Sequence, residues 1–239
     1  MTAIAGVIFD LDGVLVDSEI WWDEVRALFA ERHGRSWSAA DQAAVMGANS
    51  AAWARTMHQR LELDMADDEI ERVIVDGVVE RYRTEGAPLI DGAVDAVRRI
   101  AAERPVALAS SAHRDVIAAA LDATGLTATF EVVVSSDEVA HGKPAPDVYF
   151  EAARRLGVDP AACLVVEDSY NGVQAARAAG MTVVLVPNRS VPPAPGTAEV
   201  ADVVLERLAD LDPGAIERRT ARQDRAGAVA SSTPPRDRG

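Results

Sequence analysis

The segment Ile8-Phe9-Asp10-Leu11-Asp12-Gly13-Val14-Leu15 ends the first apolar run of the chain with two carboxylates. The run predicts a short buried β-strand, and Gly13 predicts the turn that follows it. Because side chains alternate along a strand, Asp10 and Asp12 leave the chain on the same side. Two crowded acids resist burial unless a cation or a shared proton stabilises them. Such a pair can supply a nucleophile and a general acid/base, although a solvated Asp-x-Asp-Gly turn would have the same residues.

Three further polar clusters lie at the ends of predicted strands or in the loops that follow. In an open α/β sheet, ligands bind outside the carboxyl ends of the strands, so we expect the clusters to meet there. Hydroxyls, a lysine and carboxylates suit a phosphate held beside Mg²⁺, which prefers oxygen ligands. The clusters are Ser110-Ser111, Gly142-Lys143-Pro144 and Glu167-Asp168-Ser169.

Together, the four motifs resemble those of the haloacid dehalogenase-like hydrolase superfamily, in particular its branch of sugar-phosphate phosphatases and β-phosphoglucomutases. The resemblance covers residues 4–210, with the motifs in the family's order. It implies that Asp10 is the nucleophile that becomes an aspartyl-phosphate and that it also binds Mg²⁺. It further implies that Asp12 is the general acid/base, with its backbone carbonyl on the metal.

The resemblance assigns the remaining motifs to phosphate and metal binding. Ser110, helped by the amide of Ser111, and Lys143 are expected to hold the transferring phosphoryl group. Asp168, with Glu167 directly or through water, is expected to complete the Mg²⁺ site. Taken singly, a serine here could cap a helix and the lysine could be a solvated loop residue. Asp168 could likewise cap the helix that follows it.

Composition limits the class of protein. The chain has 239 residues, a net charge of −14 and one cysteine. An acidic chain disfavours a nucleic-acid surface, and a single cysteine excludes an intrachain disulfide, as suits a reducing compartment. No apolar stretch approaches the length of a membrane span. We therefore expect a cytoplasmic enzyme that acts on a small phosphate ester, without nucleic-acid or membrane partners. The pattern requires no more than a monomer, although it does not exclude a dimer.

The order of predicted elements indicates an α/β fold, a Rossmann-like doubly wound parallel sheet with an inserted all-helical cap. The core is predicted at residues 1–16 and 86–215 and the cap at 17–85. Residues 218–239, with little apolar content, are predicted to be a disordered tail. Strands are predicted near 5–10, 105–110, 131–134, 163–167, 182–186 and 202–204, and core helices near 92–102, 114–124, 145–156 and 170–179.

The predicted cap contains the residues expected to select the substrate. Trp22 either packs between cap helices or lines the substrate face. By position in the family, Gly47 and Asn49 belong to a substrate-binding loop. Arg114 or His113, on the core, could supply an additional cation for the substrate.

Three functions fit these residues: a Mg²⁺-dependent phosphatase of sugar or polyol phosphates, a β-phosphoglucomutase-type mutase, and a non-catalytic phosphometabolite-binding protein. A nucleophile is unnecessary for binding alone, which disfavours the third. The mutases of this family typically have His at the position of Trp22 and Arg at that of Ser50, and a serine in place of Ala112. Without that arginine to hold a distal phosphate, hydrolysis is the favoured reaction.

Overall fold

A six-stranded parallel sheet forms the centre of the molecule. The computed structural model describes residues 3–219. The strands lie in the order β3-β2-β1-β4-β5-β6, which is the doubly wound order of Rossmann-like folds. The predicted fold class is therefore confirmed. The strands are β1 (Gly6–Phe9), β2 (Val106–Ser110), β3 (Val132–Ser135), β4 (Cys163–Glu167), β5 (Thr182–Leu185) and β6 (Val203–Val204).

Helices cover both faces of the sheet, and alternate side chains of each strand enter opposite apolar layers. Val7 and Phe9 join the layer that contains the helices α5 (Ala93–Ala101) and α6 (Arg114–Thr124). Ile8 joins the layer formed by α7 (Asp147–Leu156) and α8 (Tyr170–Ala178). Burial on both faces explains why the strands are continuously apolar rather than alternating. The short helix α9 (Thr197–Val200) precedes β6.

Between β1 and α5, residues 17–85 contain four helices and are here called the helical insert. The helices are α1 (Glu19–Arg32), α2 (Ala39–Val45), α3 (Ser50–Leu61) and α4 (Asp67–Glu85). Ile70, Ile74 and Val78 recur along α4 at helical spacing and are fully buried. They pack with apolar side chains of α1 and α3, so the insert contains part of the apolar core.

The register of the strands brings the polar motifs to one edge of the sheet. Phe9 pairs with Leu108 of β2 and Val166 of β4, and the amide of Asp10 donates to the carbonyl of Val166 at 3.0 Å. The carboxyl ends of β1, β2 and β4 are therefore adjacent. In this strand order, the chain direction around the sheet reverses beside β1, which leaves a crevice where ligands bind.

The predicted and observed elements differ at a few ends. The helix predicted from residue 145 begins at Asp147, because Ala145 precedes a proline and such residues avoid helical backbone angles. Residues 213–219 are helical, which corrects the first two residues of the predicted disordered tail; residues 220–239 lie outside the described part of the chain. Within residues 3–219, no helix is long and apolar enough to cross a membrane.

Candidate active site

A cavity of about 310 Å³ lies at the carboxyl edge of the sheet, beneath the helical insert. The core supplies three aspartates, a lysine and the turn after β2, whereas the insert supplies charged and aromatic side chains of α1 and a tryptophan of α3. The lining comprises Asp10, Asp12, Ser110–Ala112, Lys143 and residues 168–171 from the core, Glu19, Trp22, Arg26, residues 45–48 and Trp53 from the insert, and residues 191–194 of a proline-rich loop.

Lys143 connects the acids that follow β1 and β4. Its ammonium group donates to Asp10 Oδ1 at 2.7 Å, to Glu167 Oε1 at 2.6 Å and to the carbonyl of Ala109 at 3.2 Å. The lysine side chain is 4% exposed. Burial alone would lower the pKa of Lys143, but the two carboxylates outweigh it and raise that pKa well above its ordinary value. The group is therefore a permanent cation beside Asp10.

Both carboxylate oxygens of Glu167 accept hydrogen bonds from the protein. Oε1 also accepts from the hydroxyl of Tyr149 at 2.7 Å. Oε2 accepts from the amides of Asp168 and Ser169 and from the Ser169 hydroxyl, at 3.0–3.1 Å. Burial would raise the pKa of Glu167, but Lys143 and these hydrogen bonds outweigh it and lower that pKa. Glu167 is thus a fixed anion that orients Lys143 and the loop after β4.

Three carboxylates lie close enough to share a cation. Oxygens of Asp10, Glu167 and Asp168 are all within 4.8 Å of one another. Burial raises the pKa of Asp10 and Asp168, and repulsion from Glu167 adds to the rise. A divalent cation would relieve this repulsion, and an all-oxygen donor set fits Mg²⁺. Because Glu167 already accepts five hydrogen bonds, it is better suited to hold a metal-bound water than to bind the metal directly.

Asp12 also lines the cavity, but its carboxylate belongs to a different hydrogen-bond system. The hydroxyl of Ser18, at the start of the insert, donates to Asp12 Oδ1. Burial raises the pKa of Asp12, and the Ser18 hydroxyl and the Trp22 indole oppose the rise. Asp10 and Asp12 are therefore two neighbouring acids with different surroundings, as a division of roles between nucleophile and acid/base requires.

The turn after β2 provides the hydroxyl groups. Ser110 is buried, and its Oγ accepts from the amide of Ala112 at 3.0 Å. The carbonyl of Ala112 in turn accepts from the Ser135 hydroxyl at 2.7 Å. This arrangement holds the turn in place and leaves the Ser110 hydroxyl proton available for a ligand. Ser111 lies beside it in the lining of the cavity.

Four substrate-binding residues were predicted outside the turn after β2. Two of them line the cavity and two do not. Trp22 and Gly47 line the cavity. Asn49 instead caps α3 by accepting from the amide of Ala52, and Arg114 is exposed and paired with Glu138 at 2.8 Å. Neither is part of the lining, so the structure does not bring Asn49 or Arg114 to this cavity.

Ser50, the position at which mutases of this family are expected to have an arginine, does not line the cavity. Ser50 is buried, and its amide and hydroxyl donate to Asp137 of the core at 3.1 and 2.7 Å. The contact joins the insert to the core. The residue at this position therefore contributes to the packing of the insert on the core in this chain.

Sequence reasoning missed several residues of the site. Arg26 lies one helical turn after Trp22, a spacing that could have indicated a shared face. It adds a cation to the tryptophans that the insert contributes to the cavity. Tyr149, which donates to Glu167, follows Lys143 by six residues and carries no recognisable signal. Val191 and Pro192 of the proline-rich loop also line the cavity.

Several relatives of this chain are named as phosphatases. Fructose-1-phosphate phosphatase YqaB of Escherichia coli is 34% identical over 195 residues, which are 75% of this chain and 95% of the relative. Hexitol phosphatase B of the same organism is 31% identical over 214 residues, 87% of this chain and 94% of the relative. The chain spans only 54% of the bifunctional riboflavin kinase/FMN phosphatase of Arabidopsis thaliana, at 33% identity.

A solved structure with a similar fold is β-phosphoglucomutase from Clostridium difficile. It covers 92% of this chain and 99% of its own, with a TM-score of 0.79 and 18% identity. That identity supports the fold alone. A family model for haloacid dehalogenase-like hydrolases matches residues 4–180, a range that includes all four polar motifs. By its sequence, its fold and the arrangement of acids around Lys143, the chain belongs to the haloacid dehalogenase-like hydrolase family.

Proposed function

We propose that this protein is a Mg²⁺-dependent phosphatase of small phosphorylated metabolites, sugar or polyol phosphates, that works through an aspartyl-phosphate on Asp10. The observation that carries the proposal is the position of the Asp10 carboxylate. It lies at the floor of the cavity, 2.7 Å from the Lys143 ammonium and grouped with Glu167 and Asp168. A pocket built only to bind a phosphate would not need a nucleophile at this point.

The chemistry divides between the two aspartates. In the first step an Asp10 oxygen attacks phosphorus and the bond from phosphorus to the ester oxygen breaks, while Asp12 donates its proton to the leaving oxygen. In the second step Asp12 accepts a proton from water as the water oxygen attacks the aspartyl-phosphate. The bond between phosphorus and the Asp10 oxygen breaks, inorganic phosphate leaves, and both carboxyl groups return to their starting states.

Other side chains hold the phosphoryl group and the metal. Lys143 and the Ser110 hydroxyl are placed to donate to phosphoryl oxygens as charge redistributes in the transition state. Asp10, Asp168 and the backbone carbonyl of Asp12 would hold Mg²⁺, with Glu167 acting through water. Bound Mg²⁺ would neutralise phosphoryl charge and so favour attack by an anionic nucleophile.

The nature of the cavity supports a small substrate. Its volume, about 310 Å³, is at the low end for small-molecule sites. Trp22 and Trp53 of the helical insert line the cavity. The insert would act as a cap that excludes water, and this exclusion would strengthen the electrostatic interactions inside the cavity. Among the relatives, fructose-1-phosphate phosphatase and hexitol phosphatase B are named for sugar and polyol phosphates, which suggests the same class here.

The test of the proposal is Asp10→Asn, assayed against a panel of phosphate esters with Mg²⁺. Asparagine keeps the shape of the side chain but cannot attack phosphorus, so we expect release of phosphate to fall by more than roughly a thousandfold. Asp122→Asn, at an exposed position of α6, is the matched control and should retain wild-type activity. Turnover by Asp10→Asn at the wild-type rate would reject the proposal.

A phosphomutase is the second candidate, and Arg26 is the observation that favours it. A mutase must hold a substrate with a phosphate at its far end, and Arg26 places a cation of the insert at the cavity. Incubation with β-glucose 1-phosphate and a trace of glucose 1,6-bisphosphate separates the candidates. A phosphatase releases inorganic phosphate steadily without the bisphosphate. Accumulation of glucose 6-phosphate much faster than free phosphate would instead establish the mutase.

A further inference from the structure

Arg26 is a buried cation that faces the cavity from the helical insert. It lies in α1 and is 4% exposed, yet it belongs to the cavity lining together with Asp12 and Glu19. Burial lowers the pKa of Arg26 to about 10, and the carboxylates of Glu19 and Asp23 oppose the fall. The guanidinium therefore remains charged at neutral pH.

The guanidinium is held in place by aromatic rings rather than by an acid. Its central carbon lies 5.0 Å from the ring centroid of Trp22 and 5.3 Å from that of Trp53, distances typical of cation–π contacts. The two rings are themselves packed edge to face, with centroids 6.1 Å apart. Arg26 Nη1 donates to Oε1 of Gln42 at 3.1 Å.

At least one donor of this group is unused among the described residues. Within residues 3–219, Nε of Arg26 is buried without a hydrogen-bond partner, and no carboxylate oxygen approaches the guanidinium within 4.0 Å. Buried charges in proteins are normally paired, because desolvating an unpaired charge is costly. A cation that is fixed in orientation, desolvated and unpaired at the wall of a cavity is suited to receive an anion from the ligand.

We propose that Arg26 binds a second anionic group of the substrate, a carboxylate or a phosphate, at the end opposite the transferring phosphoryl group. The inference rests on the proposed phosphatase function, and it specifies the substrates as phosphate esters that carry a second anionic group. The substrate then spans the cavity, with its reacting phosphate at Lys143 and Asp10 and its other anionic group at the insert. Arg26 acts as a specificity-determining residue and takes no part in the chemical steps.

A competing explanation for the cation at the cavity wall is that Glu19 balances its charge. Its carboxylate also lines the cavity, and if it balanced the charge of Arg26, the pair would recognise the hydroxyl groups of a neutral polyol. The two explanations predict opposite preferences between substrates that differ only in one terminal group. A carboxylate in place of a hydroxymethyl group should improve binding in the first case and weaken it in the second.

The experiment compares two matched pairs of substrates: 3-phosphoglycerate with glycerol 3-phosphate, and 6-phosphogluconate with glucitol 6-phosphate. Within each pair, the compounds differ only by carboxylate against hydroxymethyl at the end remote from the phosphate. For the wild type we expect kcat/KM to favour the anionic member of at least one pair by tenfold or more. A ratio below about threefold in both pairs would overturn the inference.

In the pair that shows the preference, Arg26→Gln should reduce the ratio of kcat/KM for the anionic compound to that for the neutral compound by at least tenfold. Arg26→Lys should reduce this ratio less because it keeps the charge. Arg81→Gln is the matched control. Arg81 also stacks on a tryptophan, Trp21, at 5.2 Å, but it lies outside the cavity lining and pairs with Glu24 at 2.8 Å. The wild-type ratio should persist in Arg81→Gln. A ratio that survives in Arg26→Gln would reject the role of Arg26.

Binding to Asp10→Asn separates this inference from the proposed function. Tryptophan fluorescence, reporting on Trp22 and Trp53, measures the affinity of the same four compounds with Mg²⁺ and without turnover. The anionic preference should appear there and vanish in Asp10→Asn/Arg26→Gln. If no compound is hydrolysed but the preference is present, the proposed function fails and the role of Arg26 stands. If binding shows no preference, the inference about Arg26 fails whatever the turnover.

Discussion

Replacing Gly172 with alanine tests how closely the Glu167 carboxylate is enclosed by α8. A methyl group at this position would lie 1.7 Å from Glu167 Oε1 and 1.9 Å from its Cδ. Since carbon atoms in contact lie about 3.5 Å apart, the carboxylate must move by more than ~1.5 Å. Its place between α8 and Lys143 leaves it no room to do so without loss of hydrogen bonds.

The displacement removes the two hydrogen bonds that Oε1 accepts, from Lys143 at 2.6 Å and from Tyr149 at 2.7 Å. Hydrogen bonds to a charged group contribute about 1.5–3 kcal/mol each, whereas alanine is favoured over glycine within a helix by about 1 kcal/mol. We therefore expect Gly172→Ala to lower the free energy of unfolding by about 2–5 kcal/mol. For a chain of this size, the melting temperature should fall by roughly 4–20 °C.

The assay is denaturant and thermal unfolding, with Gly6→Ala as the control. A methyl group on Gly6 would come no closer than 3.4 Å to Val158, so its stability should change by less than about 1 kcal/mol. We also expect Gly172→Ala to lose at least tenfold in kcat/KM, because Lys143 loses a fixed carboxylate partner. If Gly172→Ala unfolds at the same midpoint as the wild type, the enclosure of Glu167 described above is wrong.

Three further predictions concern the metal, the acid and the core. Asp168→Asn should raise the Mg²⁺ concentration for half-maximal activity at least tenfold, and full activity in excess EDTA would contradict the metal assignment. Asp12→Ala should slow transfer from an alkyl phosphate at least ten times more than from para-nitrophenyl phosphate in single turnover, because nitrophenolate leaves without protonation; equal losses would argue against Asp12 as the acid. Burial raises the pKa of the Cys163 thiol to about 11, so about one thiol in a thousand is ionised at pH 8. A disulfide reagent should therefore label the native protein at least a hundred times more slowly than the urea-unfolded chain, and comparable rates would contradict the packing of β4.

The positions of the polar motifs were predictable because they depend on local patterns and on one rule of topology. Apolar runs of four or five residues identified the strands, and the polar residues directly after them had to meet wherever parallel strands end together. Asp10 and Asp168 were found in this way. Ser18 and Tyr149 were not, since nothing in their sequence neighbourhoods indicates that their hydroxyl groups meet Asp12 and Glu167.

Residues of the insert were the least predictable part of the site. A helix can be recognised from its period, but its rotation about its own axis and its seat on the core depend on packing against other helices. The rotation of α1 turns Arg26 towards the cavity between two tryptophans. The position of Asn49 at the start of α3 uses its side chain as a cap. The orientation of Arg26 and the role of Asn49 both depend on how the helices pack, which the local sequence does not show.

The sequence by itself determined the order of strands and helices, the parallel sheet and the set of acids, hydroxyls and one lysine at its carboxyl edge. These properties follow from periodicity and from neighbours along the chain. Only the tertiary structure decided which groups pair, since Lys143 and Asp10 are 133 positions apart and no local pattern links them. It also decided that Arg26 rather than Arg114 lines the cavity, because burial and charge pairing are settled by the surroundings of a side chain and not by its residue type.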